Sequence, residues 1–141
     1  MDRTGRRIFT CADDNLVKIW SSTDGRLLMT LRGHQSVIAD ISDISVNDEN
    51  TLLASGGLDK TVRVWDLKNG SPVAVLHGHT GGITSVEFCP TPIDEAKCLI
   101  WTGKDGGALC IWHWDSLTNE FGYGKNCCHC SRLFCVIALF V

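Results

Sequence analysis

Apolar residues in this chain come in short runs, each closed by a cluster of Gly, Asp, Asn, Ser or Pro, which is the pattern of strands joined by tight turns. The middle of the chain shows it most fully. Ile38 to Val46 is a first strand, and Asp48-Glu49-Asn50 turns the chain into a second, Leu52 to Gly56. A tight turn at Gly56-Gly57-Leu58-Asp59-Lys60 leads to Thr61-Val-Arg-Val-Trp65, whose β-branched and aromatic side chains suit a pleated, packed surface. Lys68-Asn69-Gly70-Ser71 then opens a fourth strand, Pro72 to His77. Pro72 at its start predicts the sheet edge, where a missing N–H does least harm.

The same grammar recurs on both sides. Before it run Ile8 to Cys11, Leu16 to Trp20 and Leu27 to Leu31, with turns at Asp13-Asp14-Asn15 and Thr23-Asp24-Gly25. After it run Ile83 to Phe88, Cys98 to Gly103 and Leu109 to Trp114, with a longer loop around Pro90 to Glu95. The recurrence has a period. A Ser or Thr stands ten residues ahead of a Trp at Thr10/Trp20, Ser55/Trp65 and Thr102/Trp112, and Gly-His ends at His34 and again at His79. Repeats in the low forties, with Gly-His near one end and Trp-Asp (Trp65-Asp66) near the other, mark the four-stranded blade of a β-propeller. The expected fold is all-β, a partial propeller of about two and a half blades. Residues 1–34 read as a partial first blade lacking its innermost strand, 35–79 as a complete second, 80–115 as an incomplete third and 116–141 as an irregular tail outside the repeat. Blades bury their faces only against one another. The chain therefore reads as a fragment prone to self-association, with the rest of a ring as one expected partner.

His34, Ser55, Asp59 and Trp65 are chemically matched. An indole N–H can only donate, a hydroxyl both donates and accepts, and a neutral imidazole accepts at one nitrogen while giving its proton to a carboxylate. A chain from Trp to Ser to His to Asp satisfies every member and would pin the Gly-His loop to the next turn. Thr10, Asp14 and Trp20 repeat it without a His. In the third unit His79, Thr102, Asp105 and Trp112 are the counterparts, but Asp105 follows Thr102 by three residues where Asp14 and Asp59 follow by four. A Ser, a His and an Asp also invite a hydrolase reading. Against it, Ser55 lies within a strand rather than at a strained turn beside an oxyanion hole, and Thr10 and Thr102 repeat its position. No catalytic residue is assigned.

The net charge of -3, with both signs interspersed, gives no basic stripe for nucleic acid. The N-terminal residues, with Asp2, Arg3, Arg6 and Arg7, lack the apolar core of a secretory signal, so the eight Cys read as thiols of a reducing compartment. Cys127 and Cys130 form a C-x-x-C pair, with Cys128, His129 and Cys135 nearby, yet structural zinc sites bring a second pair from a separate knuckle. No metal or cofactor is assigned. The apolar run 132–141 is about half of the ~20 residues that a membrane helix needs, and no membrane partner is expected.

The segments 2–10, 14–20, 24–34 and 72–79 resemble the propeller of the bromodomain and WD-repeat-containing proteins, the family of the pleckstrin-homology-domain-interacting protein. The resemblance implies a nuclear, non-catalytic scaffold of chromatin and transcription regulation, with roles in cell shape and cytoskeletal organisation and, in several members, in recruiting substrates to a ubiquitin ligase. The alternative is a cytoplasmic WD-repeat adaptor for signalling or ubiquitin-ligase recruitment. Adaptor-binding propellers often carry Trp-Asp-x-Arg. Here Lys68 and Leu117 stand in the Arg place, and Lys lacks the bidentate fork. Protein or peptide partners are expected at the loops after Gly-His and around the tetrad Asp, which nominates Gln35, Ser36, Leu58, Lys60, Thr80 and Lys104.

Overall fold

The computed structural model describes residues 1–35, 40–77, 79–88, 97–103, 109–115 and 120–123. These form three antiparallel meanders. Sheet one holds β1 (Arg7–Cys11), β2 (Leu16–Ser21) and β3 (Leu27–Arg32). Sheet two holds β4 (Ile41–Val46), β5 (Leu52–Gly57), β6 (Thr61–Asp66) and β7 (Pro72–His77). Sheet three holds β8 (Ile83–Phe88), β9 (Lys97–Gly103), β10 (Leu109–Asp115) and β11 (Glu120–Tyr123). The last of these corrects the expectation of an irregular tail. Glu120 to Tyr123 pairs with β10, Trp112 opposite Tyr123, and gives sheet three a fourth strand.

Burial follows from stacking. Every residue of β5 is buried, because sheet two is covered on both faces, whereas β1 alternates half-buried and exposed residues because sheet one is covered on one face only. Val17, Ile19 and Leu31 of sheet one meet Ile41, Leu53, Trp65 and Leu67 of the second unit in one core. Ala54, Val62, Val64 and Leu76 meet Ile83, Val86, Phe88 and Trp112 in another. Each such aliphatic side chain contributes ~1.5–3 kcal/mol on leaving water, so the faces hold together mainly by apolar contact. A polar latch adds direction between the innermost strands of sheets two and three. Asp43 Oδ2 accepts from the Val86 N–H (2.9 Å) and from the Ser85 hydroxyl (2.9 Å), and Ser45 Oγ accepts from the Phe88 N–H (3.1 Å).

Gly56 is where sheet three comes closest. A methyl group there would stand 2.5 Å from Ile83 Cγ2 and 2.6 Å from Val86 Cγ2, and both side chains are buried and hemmed in. We expect Gly56→Ala to cost about 1–3 kcal/mol by overpacking, read as an earlier chemical-denaturation midpoint. An unchanged midpoint would show that the two sheets separate freely.

The turns repeat as closely as the strands. Gly25 and Gly70 both have positive φ (69° and 75°), and their N–H groups bond back to Ser21 O (3.0 Å) and Asp66 O (2.8 Å). At the other turn of each unit, Asp2 and Asn47 play one role. Asn47 Oδ1 accepts from the N–H groups of Thr51 and Leu52, and Asp2 Oδ1 from those of Arg6 and Arg7. Asp2 also takes the Arg7 Nε–H at 3.0 Å and is 6% exposed. The sequence signal for this role is the 45-residue offset from Asp2 to Asn47.

Burial pushes the Asp2 carboxyl up, but bonds from Arg7, Thr4 and Arg6 outweigh this and bring it from 3.8 down to about 2. A carboxyl with a folded pKa below its unfolded one stabilises the fold above the unfolded value and loses that effect as pH falls through the folded one. Stability should therefore drop between about pH 4 and pH 2, and less steeply in Asp2→Asn. Parallel acid titrations followed by circular dichroism check this, and identical slopes would remove Asp2 from the account.

A candidate docking surface at the tetrad end

β5 and β6 carry Ser55 and Trp65 on the same face, Ser55 opposite Arg63 and Leu53 opposite Trp65, while the end of β3 delivers Gly33 and His34 from the neighbouring unit. The four side chains close into one chain of bonds. Trp65 Nε1–H donates to Ser55 Oγ at 2.9 Å, Ser55 Oγ lies 2.7 Å from His34 Nε2, and His34 Nδ1 lies 2.9 Å from Asp59 Oδ2. One proton arrangement serves all of them: the Ser55 hydroxyl accepts from Trp65 and donates to Nε2, and the imidazole gives its Nδ1 proton to the carboxylate. Ser55 is fully buried, and the side chains of His34 and Asp59 are 2% and 7% exposed.

Asp59 organises the loops as well. It accepts from the Gln35 N–H (3.2 Å), the Thr61 N–H (3.1 Å) and the Thr61 hydroxyl (2.8 Å). Burial alone would push its carboxyl up. The bonds from His34 and Thr61 win, and the group is held well below the usual carboxylate range. Gly33 is needed beneath this network, since a side chain there would meet the Trp65 ring edge at 2.8 Å and Arg63 Nη1 at 2.9 Å.

In the first unit Trp20 Nε1–H donates to Thr10 Oγ1 at 2.8 Å, and Asp14 pairs with Lys18 at 2.5 Å. The third unit departs from the expectation. Trp112 is buried in the second core, but β10 sets it opposite Leu99 and sets Leu109 opposite Thr102. Thr102 is therefore out of phase with Trp112, where Ser55 and Trp65 are in phase. Trp101 holds the register position of Ser55, as Val86 pairs with Trp101 just as Ile44 pairs with Ser55. Counted from Trp101, Asp105 comes four residues later, as Asp59 does from Ser55, and the added residue lies between Asp105 and Trp112. Asp105 itself lies outside the described residues. His79 is half-buried just ahead of β8.

Of the nominated loop residues, Gln35, Lys60 and Thr80 are exposed. Lys60 sits at a left-handed turn position, φ 67°. Leu58 is half-buried: its N–H bonds to Asp40 O (3.0 Å), and its Cδ2 fills the space a side chain at Gly82 would need (2.6 Å). It ties the second unit's loop to the third rather than standing free. Gln35 through Asp59, and Thr80 through Gly82 and Leu58, thus share one end of the stack. Ser36, Lys104 and the Cys127/Cys130 pair lie outside the described residues. Cys11 is half-buried against the first core, and burial, with Asp43 and Asp40 nearby, pushes its thiol up, which suits a small apolar side chain rather than a thiolate. Among the described residues no group of His, Cys, Asp and Glu could hold a metal ion, and no helix is long and apolar enough to cross a membrane.

This arrangement has known relatives. The chain is 37% identical over 131 residues to a bromodomain and WD repeat-containing protein of Dictyostelium discoideum, which covers 89% of this chain and 6% of that protein. It is 34% identical over 110 residues to human WD repeat and SOCS box-containing protein 1, covering 77% of this chain and 24% of the relative. It is 31% identical over 116 residues to a guanine nucleotide-binding protein subunit beta of Oryza sativa subsp. japonica, covering 75% and 30%. The chain thus spans less than a third of each of these relatives. Among solved structures, the WD40 repeats of RRP9 superpose with a TM-score of 0.70 at 20% identity, covering 87% of this chain and 34% of that one. The WD domain, G-beta repeat family matches residues 1–21, 25–66 and 70–113, and with stacked blades and one closed Trp-Ser-His-Asp network this chain belongs to the WD-repeat family, as part of a β-propeller.

Proposed function

We propose that the chain is the protein-docking propeller portion of a nuclear chromatin and transcription regulator that also acts on cell shape and the cytoskeleton. One observation carries the docking reading: the buried His34–Asp59 pair holds the Gln35 backbone and the turn bearing Lys60, so exposed side chains are presented on a rigid end. The chromatin reading rests on the likeness to the Dictyostelium discoideum bromodomain and WD repeat-containing protein. Gln35, Ser36, Leu58, Lys60, Thr80 and Lys104 are the proposed contacts, with Leu58 acting by holding the loops in register. The role is one of binding, without a catalytic residue or cofactor.

A cytoplasmic adaptor for signalling or ubiquitin-ligase recruitment is the second reading. The likenesses to the WD repeat and SOCS box-containing protein and to the G-protein subunit favour it. Proximity labelling in cells, with the tagged chain beside a Gln35→Ala/Lys60→Glu/Thr80→Ala variant, separates the two. We expect chromatin proteins among the partners of the first and a fall of at least about tenfold in the second, with an unaltered thermal melt, since exposed loop changes usually cost less than ~0.5 kcal/mol. Cytosolic ligase or signalling partners in their place would favour the adaptor. Labelling that the triple variant leaves unchanged would move the docking surface elsewhere.

A further inference from the structure

The Asp59 carboxylate is saturated. Its Oδ1 accepts from the Thr61 N–H and hydroxyl, while its Oδ2 accepts from the Gln35 N–H and stands 2.9 Å from His34 Nδ1. An ionised carboxylate offers about four lone-pair positions, so these donors fill it. The guanidinium of Arg63 stands nearby and is left out. Burial pulls its pKa below the ordinary value and Asp59 opposes this through space, but the ion-pair contact that Asp59 makes is with His34. Among the described residues nothing accepts a hydrogen bond from Arg63, and its Nε is fully enclosed without a partner.

The fold fixes where this cation lies. β6 sets Arg63 opposite Ser55, on the face that carries Trp65. Its Nη1 and Cζ lie 2.9 Å and 3.4 Å from the place a side chain on Gly33 would take, with the Trp65 ring edge 2.8 Å from the same point. The group is therefore held between the end of sheet one and the wall of sheet two. Arg63 is half-buried and still reaches solvent. Gly33 stands two residues ahead of Gln35, and Lys60 three ahead of Arg63, which places the cation at the docking end. A half-buried charge without a partner is costly, and the planar fork of Arg matches a carboxylate through two parallel bonds.

We propose that Arg63 receives an Asp or Glu carboxylate from an acidic segment of the protein that docks at this end. The inference rests on the docking reading above. A carboxylate matches one guanidinium charge for charge, whereas a phosphate dianion would bring a second negative charge into a half-buried site. Lys60, exposed at the same end, adds a positive field that draws an acidic segment in.

The side-chain Nε–H resonance of Arg63 in the nitrogen-15-labelled full chain reads the contact directly. Titration with a decapeptide of alternating Glu and Gly should shift it to saturation, and the Gln counterpart should leave it in place. Arg63→Met keeps the apolar stem and removes the charge. Peptide affinity, read by fluorescence anisotropy, should fall about tenfold or more with the loss of a charge-assisted pair. The melting temperature of Arg63→Met should hold or rise, because an unpaired charge has left a half-buried site. A clear fall would make Arg63 a structural prop and overturn the proposal. So would an unmoved Arg63 resonance, or a phosphoserine decapeptide that binds tenfold more tightly than the Glu peptide. The Gln35→Ala/Lys60→Glu/Thr80→Ala labelling experiment fails separately: labelling lost there with no peptide response at Arg63 keeps the docking end and removes the carboxylate.

Discussion

Replacing Trp65 by Ala is expected to lower the stability of the chain by about 4–5 kcal/mol. Trp65 is 2% exposed and lies between sheets one and two among Leu53, Ile41, Val17 and Ile19. Truncating a buried aromatic costs about 3–5 kcal/mol through lost transfer and the cavity left behind. The Ser55 hydroxyl also loses the donor it accepts from, a further ~1 kcal/mol. At ~3–5 °C per kcal/mol for a chain of this size, the melting temperature should fall by about 15 °C. Trp65→Phe separates the two contributions. It keeps most of the apolar contact and loses the N–H, so its loss should be about 1–2 kcal/mol. Calorimetry of both variants checks the partition, and a Phe variant as damaged as the Ala variant would mean that the hydrogen bond outweighs the packing.

The second large effect is expected from His34→Ala, about 3–5 kcal/mol. The imidazole holds two buried groups, the Ser55 hydroxyl and the Asp59 carboxylate, and removing one partner of a buried pair leaves the other desolvated and uncompensated. Asp59 keeps three donors, Gln35 N–H, Thr61 N–H and Thr61 Oγ1–H, which keeps the loss toward the lower end. The acid response gives an independent sign. In the wild type the Asp59 carboxyl is held below its ordinary 3.8, so its stabilisation is complete above about pH 4 and fades as pH falls through the lower folded-state value. Without His34 that value moves back up, and the Asp59 contribution to acid lability shrinks. A double-mutant cycle with Asp59→Asn, melted at pH 7 and pH 3, measures the coupling. Additive losses at both pH values would show that the pair is not the link between sheet one and sheet two.

The two losses act on one structural link. Trp65 and Ser55 belong to the second unit, His34 to the first, and Asp59 to the loop that also ties down Gln35. Weakening either should loosen the docking end before it unfolds the sheets, because those loops have few apolar contacts of their own. Hydrogen exchange at Gln35 and Leu58 should then quicken ahead of exchange within β5. The order of those two events distinguishes loop release from global loss.

The strands, the repeat and the second tetrad were legible without a structure because they rest on local chemistry. β-branched and aromatic runs broken by Gly, Asn and Asp report their own conformation, and a ten-residue spacing between Ser55 and Trp65 follows from two antiparallel strands joined through a three-residue turn, Leu58 to Lys60. Asp2 was missed because a carboxylate near a chain end normally lies in solvent, and only the docking of 2–7 around it makes it a buried acceptor. The third unit shows the limit most clearly. Thr102 keeps the spacing to Trp112, yet side chains alternate across a sheet with a period of two, so one added turn residue shifts the pairing and brings Trp101 into the place of Ser55. The Glu120–Tyr123 strand escaped for the same reason: so short a segment has little preference of its own and acquires one from the strand it pairs with. Sequence alone thus determined which segments become strands and which polar groups could match, since those depend on residue type and near neighbours. Only the tertiary structure decided which faces meet, because register and burial are set by contacts between residues far apart in the chain.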